Sequence, residues 1–123
     1  MDYPEVVAEV TAAFNRYEAA LNANDVSVLN ELFFDSPRTI RYGPAEMLYG
    51  HAQIAAYRSA RETSDLEREL TRVEITAWSE DFATANCEYR RVKSGRRGRQ
   101  SQCWMRTADG WRVVSAHVSF LPA

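Results

Sequence analysis

From residue 66 onward the chain consists of four runs rich in β-branched and aromatic residues, at 66–78, 82–92, 99–107 and 111–120. The breaks between them are Ser79-Glu80-Asp81, Ser94-Gly95-Arg96-Arg97-Gly98 and Ala108-Asp109-Gly110, each short enough for a hairpin. This half is therefore expected to be a meander of antiparallel strands. The first half has a different period. Val7, Val10, Phe14, Tyr17 and Leu21 recur at threes and fours, which places them on one face of a helix. Asp2 with Glu5 three residues later has the spacing of a capping box, and Pro4 is tolerated in a first turn. After Asn22-Ala23-Asn24, Asp25 can cap a second, shorter helix through Val28, Leu29 and Leu32, which Pro37 stops. Residues 38–42 alternate, with Arg38, Ile40 and Tyr42 on one side and Thr39 and Arg41 on the other. Gly43-Pro44 marks a turn, Met47–Tyr49 a short returning strand, and residues 51–62 a third helix carrying Ile54, Tyr57 and Arg58. Helices first and a strand meander last predict one α+β domain over residues 1–123.

Composition narrows the function classes. With 46% hydrophobic and 26% charged residues the chain can build a core. A net charge of −2 argues against a nucleic-acid partner. No charged start precedes an apolar run, and no stretch approaches the ~20 apolar residues that span a bilayer, so a cytoplasmic protein without a membrane partner is expected. Cys87, Cys103, His51 and His117 lack the clustering of a metal site, and the cysteines read as buried strand thiols, so no metal is expected.

Several side chains could carry chemistry. Tyr17 falls on the apolar face of the first helix, where a buried phenol needs a hydrogen-bond partner. Arg41 alternates inward, and an inward guanidinium calls for an anion, which its fork can grip through both oxygens of a carboxylate. The same pattern also fits an Arg41 paired with a protein carboxylate and a Tyr17 that fills the core. His117 and Ser119 share a face of the last run, while Gln100, Gln102 and Trp104 share a face of the preceding one. Together they could form a polar pocket wall, with His117 as proton carrier or as a satisfied core histidine. Ser119 has no nucleophile-elbow context. Glu46 reads as a surface residue or the partner of an arginine. The basic group Arg90, Arg91, Lys93, Arg96, Arg97 and Arg99 brackets a Gly-containing turn and reads as a solvated hairpin tip. In the last run Val114, Ala116, Val118 and Phe120 form one face and Trp111, Val113, Ser115, His117 and Ser119 the other. Apolar groups on both faces predict a second cover for the sheet, a homodimer through its outer face.

The segments Val10-Thr11-Ala12-Ala13-Phe14, Tyr17-Glu18-Ala19-Ala20-Leu21, Asn24-Asp25, Phe34-Asp35-Ser36-Pro37-Arg38-Thr39, Arg41-Tyr42-Gly43 and Tyr49-Gly50 resemble the AtzH-like family, which includes the HpxZ proteins of oxalurate catabolism. The similarity continues through Gly98-Arg99-Gln100-Ser101-Gln102, Trp104, Gly110-Trp111-Arg112-Val113-Val114 and Ala116-His117-Val118-Ser119, so it spans nearly the whole chain in order. The resemblance implies a cystatin/NTF2-like cone, its N-terminal helices packed on a curved antiparallel sheet, usually dimeric. It implies catabolism of a small anionic ureide beside a pathway amidase. The specific reaction it suggests is cofactor-independent decarboxylation of 1,3-dicarboxyurea to allophanate, in the breakdown of cyanuric acid or of oxalurate. The tyrosine and arginine that the family assigns to that site match Tyr17 and Arg41, with Gln102, Trp104, His117 and Ser119 expected to shape substrate binding. A non-catalytic binding or amidase-accessory role fits the same residues, and an isomerase or dehydratase fits the same kind of cone.

Overall fold

The N-terminal spacing folds into helix as its period demands. α1 runs Pro4–Ala23 and buries Val6, Val10, Phe14, Tyr17, Glu18, Ala20 and Leu21. The computed structural model describes residues 2–122. α1 does not start with the expected capping box. Its N-cap is Tyr3, in a left-handed conformation (φ 49°) with no side-chain cap, which puts Asp2 one residue too early to serve. Pro4, whose missing N–H loses nothing in a first turn, opens the helix instead. Asp25 caps α2 (Val26–Leu32) as read, accepting a hydrogen bond from the Val28 N–H at 3.3 Å. Among the described residues no helix is long and apolar enough to cross a membrane.

The remaining elements are β1 (Ile40–Tyr42), β2 (Met47–Tyr49), α3 (His51–Ala60), β3 (Arg68–Ala77), β4 (Phe82–Arg91), β5 (Arg97–Thr107) and β6 (Gly110–Phe120). The strands form one sheet in the order β2-β1-β6-β5-β4-β3. Every neighbouring pair is antiparallel except β1 with β6, which run parallel with Ile40 opposite Ser115 and Tyr42 opposite His117. Those two strands are joined by most of the chain, so no tight turn fixes their relative direction. Register shifts between Leu70 and Arg72 and between Cys103 and Trp104 add to the curvature of the sheet around the helices. This is the cystatin-like, NTF2-like architecture, with one hydrophobic core enclosed between sheet and helices.

The second shift changes the reading of the last strand. Cys103 pairs with Ser115 but Trp104 pairs with Val113, so Val114 is an extra residue without a partner. Trp111 and Val113 thereby turn to the inner face, which they share with Ala116 and Val118, and all of these are buried. Strict alternation had divided them between two faces. The corrected outer face of β6 carries Ser115, His117 and Ser119, so its pattern no longer argues for a second apolar cover.

α3 is set by Gly50, whose φ of 87° favours glycine and whose N–H bonds to the Thr39 carbonyl at 2.7 Å. The chain after α2 is tied to the sheet where Phe33 bridges Val113 and the Phe34 N–H bonds to the Val113 carbonyl at 2.9 Å. These ties bring α1, α3 and the inner face of the sheet together around Tyr17.

Candidate functional site

Tyr17 is 2% exposed, and its ring centroid lies 6.1 Å from that of Phe33. The next residue, Glu18, is also buried. It accepts from Arg68 Nε at 3.2 Å and from Arg68 Nη2, which also donates to Gln100 Oε1 at 3.1 Å. Burial works against the Arg68 charge, but the Glu18 hydrogen bonds and charge outweigh it and raise the guanidinium above its ordinary pKa. The Arg68 Cζ lies 4.4 Å from the centre of the Tyr89 ring. That ring lies flat across the neighbouring strand because its partner there is Gly98, where a Cβ would stand 2.3 Å from Tyr89 Cζ. Arg68 is thus a satisfied, structural cation in one wall.

Arg41 points inward between Leu48 and Ala116, its register partners, and is 6% exposed. It is not a lone guanidinium. Its Nη1 donates to Glu46 Oε1 at 3.0 Å, which is the internal pairing left open by the sequence. Glu46 sits at the far end of the β1–β2 turn, which the Gly43 N–H closes onto the Glu46 carbonyl at 2.9 Å. The Arg41 fork is only partly used, since its Nε is buried with no partner among the described residues. Arg41 Cζ also lies 5.4 Å from the Tyr57 ring centre. The Tyr57 phenol is raised above its ordinary pKa by burial first and then by the charge and hydrogen bond of Glu46.

The lone guanidinium belongs to Arg58. This side chain is 2% exposed, and none of its Nε, Nη1 and Nη2 has a hydrogen-bond partner among the described residues. Its Cζ lies 4.3 Å from the Phe33 ring centre and 5.8 Å from that of Tyr17. Burial is the main cause that pushes its pKa down to about 10, with the charges of Arg41 and Arg61 adding to the fall. Tyr17 offsets part of that loss without forming a bond of hydrogen-bond geometry. Arg61, just past the end of α3, has Nε and Nη2 buried with no partner among the described residues, and its pKa is likewise lowered, by burial first.

Tyr17, Leu21, Arg41, Arg61, Leu66, Arg68, Arg91, Gln100 and Val118 line one narrow cavity of about 20 Å³, room for about one water molecule. All of them are buried except the half-buried Arg61 and Arg91, which therefore form its mouth. The structure brings Tyr17 and Arg41 into this cavity together. Gln102 and Trp104 lie on the same inner face of the sheet but outside the cavity lining, where Trp104 Nε1 donates to Gln102 Oε1 at 3.1 Å.

His117 and Ser119 do not join the site. The β5–β6 register pairs His117 with Ser101 and Ser119 with Arg99, on the opposite face of the sheet from Gln100 and Val118. His117 is exposed, its ring 5.8 Å from that of Tyr42, and Ser119 accepts from Arg99 Nε at 3.0 Å. A polar wall made jointly with Gln102 is therefore ruled out by strand parity. Gln100, read as part of a polar wall, does line the cavity, and the residues that the sequence reading missed are Arg58, Arg61 and Glu18. Arg58 had a signal: it stands four residues after the buried Ile54, on the inner stripe of its helix.

A buried phenol among arginines thus lines one small cavity inside an NTF2-like cone. The AtzH-like family matches residues 1–123, and the chain belongs to that family. A DUF3225-family protein of unknown function from Pectobacterium atrosepticum is 47% identical, with a TM-score of 0.94 over 98% of this chain and 94% of that one. A cystatin-like fold protein from Burkholderia xenovorans is 42% identical, with a TM-score of 0.93 over 99% of this chain and 96% of that one. An NTF2-like superfamily protein from Salmonella enterica is 26% identical, with a TM-score of 0.80 over 97% and 93%. No curated protein matches the chain.

Proposed function

We propose that this chain is a cofactor-independent decarboxylase of an N-carboxylated urea, acting on 1,3-dicarboxyurea to give allophanate and CO₂. The observation that carries the reading is that Tyr17 and Arg41 line the same cation-rich cavity. Arg41 holds a carboxylate and fixes the pose once Glu46 gives way to it. The C–N bond to the scissile carboxylate breaks and its electron pair stays on nitrogen. The Tyr17 hydroxyl passes its proton to that nitrogen, CO₂ departs, and the phenolate recovers a proton from water. The bond change is redox-neutral and consumes one proton. With room for about one water molecule, the cavity admits a ureide only when the Arg61 and Arg91 side chains at its mouth move aside.

A second reading is a non-catalytic holder of the same anions, or an accessory of a pathway amidase. It is favoured by the closed cavity and by an Arg41 already occupied by Glu46. An isomerase or dehydratase has less support, because the inward carboxylates Glu18 and Glu46 are both tied to arginines and neither is free to act as a base. Incubation with 1,3-dicarboxyurea and with oxalurate, assaying CO₂ and ammonia separately, separates these. CO₂ without ammonia from the dicarboxyurea supports the decarboxylase, and release of neither removes it.

The expected homodimer would use the outer face of the sheet, where Met47, Tyr49 and Trp78 are exposed at 69%, 49% and 64%. Sedimentation equilibrium tests it, and a monomer at micromolar concentration overturns it.

A further inference from the structure

Arg41, Arg68 and Arg91 around the cavity each have a counter-charge. Arg41 has Glu46 and Arg68 has Glu18. Arg91 donates to the Asp65 carbonyl and lies near the Asp65 carboxylate, which is held below its ordinary range by the Ser94 hydrogen bond first and by the charges of Arg91 and Lys93 as well. Arg58 and Arg61 have no carboxylate within salt-bridge distance among the described residues. They stand three residues apart at the C-terminal end of α3, a spacing that puts both on one side of the helix. Two uncompensated guanidinium groups, one of them almost wholly buried, are costly to a folded chain.

Partial compensations exist and do not suffice. The C-terminal end of α3 favours positive charge, and the rings of Phe33 and Tyr17 face the Arg58 guanidinium. Neither brings an acceptor into hydrogen-bond geometry with the in-plane N–H groups, and among the described residues all three nitrogens are without such a partner. A trapped water could accept one of these bonds but carries no charge. The missing partner is an anion with several acceptor oxygens in a plane, which describes a carboxylate.

We propose that Arg58 and Arg61 form a second carboxylate subsite, so that the pocket selects dianions whose two carboxylates lie a few bonds apart. One carboxylate takes Arg41 and the other takes the α3 pair. Arg61 lines the cavity, and Arg58 adjoins it through the Tyr17 ring, so the space opens by side-chain movement around Tyr17. The subsite deepens the decarboxylase reading, since it concerns the same cavity and would hold the carboxylate that stays on the product. It is tested by equilibrium binding, independently of turnover.

Malonate, acetate and inorganic phosphate are titrated calorimetrically into the wild-type protein and into Arg58→Met, Arg58→Lys and Arg61→Met. Malonate is expected to bind wild type about tenfold or more tighter than acetate, and phosphate no better than acetate. Arg58→Met and Arg61→Met should each lose about tenfold or more toward malonate while acetate affinity changes little. Arg58→Lys, which keeps the charge and loses the fork, should fall between. The ligand-free melting temperature of Arg58→Met should rise, since a buried unpaired charge is gone. Unchanged malonate affinity in Arg58→Met and Arg58→Lys, equal binding of phosphate and malonate, or a lower melting temperature for ligand-free Arg58→Met overturns the subsite. Selective malonate binding without CO₂ release from 1,3-dicarboxyurea sinks the reaction and leaves the subsite standing. CO₂ release that Arg58→Met does not alter, with unchanged malonate affinity, does the reverse.

Discussion

Arg41 and Glu46, five residues apart on the two sides of one hairpin, pair at 3.0 Å because Gly43 between them has no side chain. A Cβ on Gly43 would fall 1.7 Å from Glu46 Oε1. The carboxylate occupies the guanidinium that a substrate carboxylate would need, so the free protein carries its own competitor.

Glu46→Gln removes that competitor and is expected to tighten carboxylate binding several-fold, read as a lower Kd for malonate. Gly43→Ala should act in the same direction by pushing the Glu46 side chain aside. Both leave Arg41 buried without a counter-charge, at a cost of roughly 3 kcal/mol in urea unfolding. Weaker ligand binding in both variants would make Glu46 part of the binding surface instead of an occupant to be displaced.

Tyr17→Phe keeps the ring that packs on Phe33 and loses only the hydroxyl. Turnover of 1,3-dicarboxyurea should drop by about 100-fold or more while the melting temperature stays near that of wild type. An unchanged rate takes Tyr17 out of the chemistry.

Burial pushes the Cys87 thiol up to about 11 from an ordinary 9. Between those values the unfolded chain has released the proton and the native chain still holds it, so the native state binds more protons. Stability contributed by this group is therefore whole below pH 9 and falls as pH rises toward 11, by about 1.4 kcal/mol per unit within the window. Denaturant titrations of wild type and Cys87→Val from pH 8 to about 11 should diverge in that sense. Parallel curves would mean that the thiol titrates alike in both states. The same burial should keep Cys87 unmodified by iodoacetamide at pH 8 in the native protein.

Gly98→Ala places a methyl 2.3 Å from Tyr89 Cζ and Oη and 2.7 Å from the Ser119 carbonyl. The Tyr89 ring must leave its place by Arg68, and overpacking of this kind costs about 1–3 kcal/mol. Thermal unfolding measures it. No loss would show that the ring has somewhere else to lie.

Much of this molecule was legible in advance. The period of α1, the Asp25 cap, the Gly43-Pro44 turn and the strand runs each rest on local chemistry that a sequence displays. What was hidden depends on pairing between distant segments. The parallel contact of β1 with β6 has no local mark, and the extra Val114 breaks the very alternation from which faces are read. The site suffered most from this, because assigning His117 and Ser119 to the pocket required the parity of one strand relative to its neighbour. Arg41 was correctly placed inward, yet its freedom depended on Glu46 folding back over a glycine. Arg58 lay on an inner stripe in plain view, but an arginine there is unusual only when nothing answers it, and that requires coordinates.

The unpaired Val114 has a reach beyond its own strand. Phe33 is fastened to the neighbouring Val113, and Phe33 is the platform on which the Arg58 guanidinium rests. Deleting that one residue would join Val113 to Ser115 in plain alternation and leave Trp111 and Val113 facing inward, so its effect would come through the lost bulge. It would shift the anchor of the segment after α2 and tilt the plate beneath the charge, so a deletion on the sheet would be felt as a change in ligand choice on the helical side.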